Sequence, residues 1–230
     1  MEELLYKLIP DIENKPIEFR DIVCRRYSDF YACSEIPKIC YGFYDQGIIP
    51  PKLTGIFKNI KTAVEDGYNF LIMFNSYKNL EYIAYLLMEA LFKQCMQDEN
   101  LPLRQMIYID TKLLLQDYKN LIETESEDRI TVPYYNKRTL NNNIYNAQMV
   151  IWDNLSGVKS NYDKEKMEYI ISRRIKNGLG NIYFFNNKTD ALLDIFGVSL
   201  YELLHIDLCF DCRNYKIEIS QRKDVEIFKC

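Results

Sequence analysis

The turn Asn75-Ser76-Tyr77-Lys78-Asn79 is where this chain comes nearest to chemistry, and what it lacks is as informative as what it holds. It joins an apolar run, Phe70–Phe74, to a helical pattern that begins at Leu80. A strand, a polar turn and a helix N-terminus in that order can cradle phosphate. Glycines must then let the backbone N–H groups approach, and a Lys-Ser/Thr pair must reach the outer phosphates and Mg²⁺. This turn has no glycine, and Lys78 is followed by Asn79. One flexible ammonium without a nest of N–H groups is a charge rather than a site. Two other strand ends carry suitable polar residues: Asp153, followed by Asn154, closes an apolar run, and Asn186 follows Ile182-Tyr183-Phe184-Phe185. Each also has a plain structural reading, Asp153 as the cap of the next turn and Asn186-Asn187-Lys188-Thr189 as turn chemistry.

A second group of residues suits polyanions. Tyr134 and Tyr135 stand beside Lys137 and Arg138, and Lys159, Lys164, Lys166, Arg173, Arg174 and Lys176 cluster further on. Rings stack on bases and cations neutralise phosphates, so contact with single-stranded nucleic acid is one reading. The solvated face of a helix is the other. Seven cysteines, an odd number at irregular spacings (24, 33, 40, 95, 209, 212 and 230), read as reduced thiols in a chain this long. Cys209-Phe210-Asp211-Cys212 and His205, the one histidine, fall short of a four-ligand zinc set, so no metal site is expected.

The elements that must position these residues follow from periodicity. Ile56–Val64 has apolar residues at the spacing of one short amphipathic helix, ending at Asp66-Gly67. Phe70–Phe74 is a continuous apolar strand of the doubly buried kind, and Leu80–Met96 a long helix. Gln105–Ile109 predicts a strand, Thr111–Glu123 a helix, Ala147–Asp153 a strand, Lys164–Asn177 a helix stopped by Gly178, and Asn181–Phe185 a strand. Ala191–Phe196 reads as a further helix and Tyr215–Ser220 as a last strand. Four strand–helix repeats imply an α/β fold with a doubly wound parallel sheet, whose ligands sit beyond the carboxyl ends of the strands. Residues 1–45 are too short and too rich in breakers for a core of their own and read as an N-terminal extension and connector, leaving 46–230 as the core. A net charge of −4 gives no global pull toward nucleic acid, and no run approaches a membrane span, so a cytoplasmic protein with no membrane contact is expected.

The three strand ends at 75–79, 153–157 and 186–189, in that order and spacing, resemble the ATPase core of bacterial replicative-helicase loaders of the DnaC/DnaI type, which belong to the AAA+ branch of P-loop NTPases. The resemblance covers about residues 35–220, its most specific pieces being Ser34-Glu35-Ile36-Pro37 as its lead-in, Val150-Ile151-Trp152-Asp153-Asn154-Leu155-Ser156-Gly157 as its Walker B strand, Lys164–Gly178 as the helix after it, and Ile182–Asn186 as the strand ending in a sensor asparagine. It implies a P-loop NTPase fold without a separate lid domain and a nucleotide site drawn from Asn75, Ser76, Tyr77, Lys78, Asn79, Asp153 and Asn186. The chain departs from that pattern in three places. The glycines and Lys-Thr pair of Walker A are missing, Asn154 stands where a second Walker B acid is expected, and Val198–Glu202 holds no arginine for a finger. Asn cannot serve as a base toward water, and a phosphoryl-transfer site needs all three parts.

The reading that follows is a degenerate member of the loader type, with no catalytic residues and no cofactor expected, ATP and Mg²⁺ included. It would act in DNA replication by binding a replicative helicase, a helicase loader or an initiator, as a possible subunit of an oligomer. Two alternatives stay open: an active ATP-dependent loader with an aberrant P-loop, and an accessory factor that binds single-stranded DNA through Tyr134, Tyr135, Lys137, Arg138, Arg173 and Arg174.

Overall fold

A computed structural model describes residues 49–74, 80–95, 106–124, 144–185 and 202–214, with the isolated positions 14, 16–18, 194, 196 and 197. Five strands form one parallel sheet: β1 (Asn69–Met73), β2 (Met106–Asp110), β3 (Met149–Asp153), β4 (Gly180–Phe185) and β5 (Leu208–Asp211), in the spatial order β2-β3-β4-β1-β5. The helices are α1 (Thr54–Lys58), α2 (Ile60–Glu65), α3 (Leu80–Cys95), α4 (Thr111–Thr124) and α5 (Asn161–Lys176). Among the described residues no helix is long and apolar enough to cross a membrane.

Every residue of β1, β3 and β4 is buried, which is why these strands read as unbroken apolar runs. Alternation along each strand then sorts the side chains into two cores. Phe70, Ile72, Phe74, Ile151, Ile182 and Phe184 pack with α1, α2 and α3 on one face. Leu71, Met73, Val150, Trp152, Tyr183 and Phe185 pack on the other with Leu114 and Leu115 of α4 and Met167, Ile170 and Ile171 of α5. Helices therefore cover both faces, and the doubly wound α/β fold expected from the strand–helix repeats is the one observed. Trp152 is fully buried, as its place in an apolar strand requires.

Two elements differ from their sequence reading. The single helix expected over Ile56–Val64 is two, because the chain breaks at Asn59 (φ −122°, ψ 23°), whose side-chain amide donates to the Gly55 carbonyl at 3.0 Å. Asn competes in this way for helical carbonyls. The segment around Cys209, to which the sequence gives no element, is the strand β5, parallel to β1 and at the edge of the sheet among the described residues. Cys209 lies in this strand and is exposed, Cys212 follows its last residue and is buried, and both are free thiols. The strand expected over Tyr215–Ser220, the N-terminal segment 1–45 apart from positions 14 and 16–18, and the helix expected over Ala191–Phe196 apart from Asp194 and Phe196 lie outside the described residues.

α5 shows how local chemistry sets an element's ends. Ser160 is its N-cap, accepting from the Asp163 N–H at 3.2 Å, while the Asp163 carboxylate accepts from the Ser160 N–H at 3.0 Å, a reciprocal capping box. Burial disfavours the Asp163 carboxylate. Lys119, 2.7 Å away, and the Ser160 and Lys159 donors outweigh that and bring its pKa down to about 2. At the other end Gly178 takes φ +68°, and its N–H and that of Leu179 donate to the Ile175 and Arg174 carbonyls, closing the helix in a left-handed cap.

Candidate functional site

The parallel register places Asp110 of β2 directly beside Asp153 of β3, at the carboxyl ends where ligands of such sheets bind. Asp153 is 4% exposed. One of its oxygens accepts from the Tyr108 hydroxyl at 2.7 Å and the other from the Asn154 N–H at 2.6 Å. Burial raises its pKa, the two donors oppose that rise, and the nearby Asp110 charge adds to it. Desolvation and the Asp153 carboxylate push the Tyr108 phenol in turn far above its ordinary range, so it remains a donor at any physiological pH.

Asn154 joins the two strand ends. It occupies the left-handed region (φ 53°, ψ 37°), where Asn is better tolerated than most residues, and its amide donates to Asp110 at 2.6 Å. The second Asp110 oxygen accepts from the Leu113 N–H at 3.0 Å and so caps the first turn of α4. The turn Leu155–Gly157 then runs against α4 so closely that a Cβ at Gly157 would lie 2.8 Å from that of Lys112. All four carboxylate oxygens of Asp110 and Asp153 are thus engaged by donors from the chain itself.

That arrangement bears on a nucleotide's Mg²⁺. The ion takes near-octahedral oxygen ligands, with one or two carboxylates reaching it directly. Here both carboxylates are turned inward on Tyr108, Asn154 and Leu113, and among the described residues no group of three His, Cys, Asp or Glu side chains could hold a metal. Asn154, a neutral donor, supplies no base. Asn75, Ser76, Tyr77, Lys78, Asn79 and Asn186 lie outside the described residues, as do Tyr134, Tyr135, Lys137 and Arg138.

The two adjacent arginines part company. Arg173 is exposed on the outer face of α5, with its guanidinium 4.7 Å from the Tyr145 ring centroid. Arg174 cannot meet nucleic acid: it is fully buried. Its guanidinium donates to the Ile144 carbonyl at 2.5 Å, the Ala147 carbonyl at 2.9 Å, the Gly180 carbonyl at 2.6 Å and the Asn181 side-chain oxygen at 2.8 Å. Burial pulls its pKa down to about 9, which leaves it charged at neutral pH. Position 174 continues the inward series Met167, Ile170 and Ile171, so helical spacing dictates the burial that the Arg-Arg pair conceals.

Tyr108 and Asp110 were not singled out from the sequence, yet they hold half of the strand-end network. A signal existed: Asp110 opens Asp110-Thr111-Lys112 ahead of a helical pattern, an N-cap signature, and it ends its strand as Asp153 does.

No family model matches the chain, and no curated protein matches it either. Among solved structures, that of the DnaC helicase loader is similar, with a TM-score of 0.53 at 14% identity over 76% of this chain and 99% of that one. The likeness is one of fold, an α/β arrangement with a parallel sheet covered by helices.

Proposed function

We propose that this protein is a replication accessory factor of the helicase-loader type that acts by binding a replicative helicase, a loader or an initiator, and does not turn over ATP. The observation that carries the second half is Asn154. The residue after the strand-end acid is held in a left-handed turn, and its amide is spent on Asp110. A water-activating carboxylate is thereby replaced by a neutral tie between β2 and β3, and the acid beside it is satisfied from within. What supports the first half is the loader-like fold together with the resemblance of the strand-end motifs. A core that keeps this architecture without the polarising chemistry acts through its surface.

The test is a pair of measurements on the full chain. Incubated with Mg-ATP, alone and with the replicative helicase of its source cell, the protein should release no phosphate, while sedimentation should show a complex with that helicase, its loader or its initiator. Turnover abolished by Asp153→Ala would overturn the non-catalytic reading. Failure of all three proteins to co-sediment would overturn the partner assignment.

A further inference from the structure

Apart from the strand-end network, the most distinctive chemistry lies on the outer face of α5. Tyr162, Lys166, Tyr169, Arg173 and Lys176 recur at intervals of four and three residues, so they form one stripe along the helix, free of acid. Tyr169 is 55% exposed, an unusual surface for a ring of its size. The cations are not loose. The Lys166 ammonium sits 4.1 Å from the Tyr118 ring centroid and 6.0 Å from that of Tyr169. The Arg173 guanidinium lies over Tyr145, which meets Tyr169 edge to face at 6.4 Å, and one of its N–H groups is 3.4 Å from the Tyr169 hydroxyl. Among the described residues neither Lys166, Arg173 nor Lys176 is ion-paired with a carboxylate. A guanidinium stacked on a ring has part of its fork fixed in advance, and Tyr and Arg so placed are the residues that dominate protein interfaces.

We infer that this stripe is a docking face for an acidic helix of a partner protein, whose carboxylates meet Lys166 and Arg173. The reading stands on the chemistry of the face and not on the proposed function. Lys166 and Arg173 are seven residues apart, about 10 Å along the axis, the distance between acids at the same heptad position of a helix lying alongside. Single-stranded nucleic acid suits the face less well. Stacking successive bases needs free ring faces, and Lys166 and Arg173 already cover Tyr118 and Tyr145.

Fluorescence anisotropy on the full chain decides between them. The probes are a labelled alanine-leucine helical peptide with glutamates at heptad spacing, its lysine counterpart, and labelled oligo(dT). The acidic peptide should bind and the basic one should not. Arg173→Ala and Tyr169→Ala should each weaken binding about tenfold, and Arg173→Lys nearly as much as Arg173→Ala, because an ammonium lacks the planar fork. All three variants should melt with the parent, since both side chains are exposed. No binding of the acidic peptide, binding indifferent to these substitutions, or oligo(dT) binding lost in the same variants would each overturn the assignment.

Discussion

The two ends of the parallel sheet are made from different materials. At the amino end Gly67, Gly178 and Gly180 bring backbones together. A Cβ at Gly67 would lie 2.3 Å from the Gly178 carbonyl oxygen, and one at Gly180 2.8 Å from that of Tyr68. Beside them Asn181 accepts from the Trp152 indole at 3.0 Å and from Arg174, and donates to Asn69 at 2.8 Å. At the carboxyl end Tyr108, Asp110, Asp153 and Asn154 form the network, in which two acids stand side by side. Three of the chain's eight glycines serve the end that holds the fold together, and none falls in Asn75–Asn79. At the amino end it is glycine that permits the close backbone approach on which packing depends.

The contrast can be broken by substitution, and the largest effect belongs to the amino end. Arg174→Ala takes the guanidinium from four buried acceptors, of which Asn181 keeps the Trp152 indole, and leaves a cavity beside them, so we expect a loss of about 3–5 kcal/mol, read as a lower urea midpoint. Arg174→Met, which keeps much of the volume, should recover part of it. A loss below about 1 kcal/mol for the alanine variant would mean that this end is not the structural one. Trp152→Phe keeps an aromatic ring but removes the donor to Asn181 and some volume. It should cost about 1–2 kcal/mol in the same measurement.

At the carboxyl end the expected changes are smaller and depend on pH. Asn154→Asp puts a third carboxylate against Asp110, so the new acid's folded pKa lies above its unfolded value of about 3.9. An acid raised in this way lowers stability as pH climbs through that interval. The deficit should be small near pH 4 and reach about 1–2 kcal/mol by pH 7. A penalty that did not change with pH would show that charge is not its cause. Tyr108→Phe should cost least, about 0.5–1.5 kcal/mol. Its sharper signature is a further rise in the Asp153 pKa, followed by carboxyl carbon chemical shift, because one of the two donors holding that rise in check is gone.

The sheet was legible because its strands are buried on both faces, so Phe70–Phe74 and Met149–Asp153 stand out as apolar runs of strand length; Gly178 marked the end of α5 for an equally local reason. What escaped was set by tertiary context. β5 carries no apolar run, since it is an edge strand with Leu208 and Cys209 exposed, and its pairing with β1 appears only in three dimensions. Arg174 reads as surface because it is charged, and only the saturation of its donors by carbonyls of distant segments makes burial tolerable. The site was half visible: the acid at the end of β3 was evident, whereas its dependence on Tyr108 and its tie to Asp110 follow from register.

The cap at Gly178 has a consequence for motion. Three residues join α5 to β4, the Leu179 N–H donates back to the Arg174 carbonyl, and the Arg174 side chain grips Gly180 and Asn181 at the start of β4. Neither the last turn of the helix nor the first residues of the strand can fray without the other. Their amides should therefore exchange with solvent together, at the rate of global opening, as one cooperative unit. A partner pressing on the outer face of α5 would then push on the middle of the sheet directly, with no joint between to absorb the load.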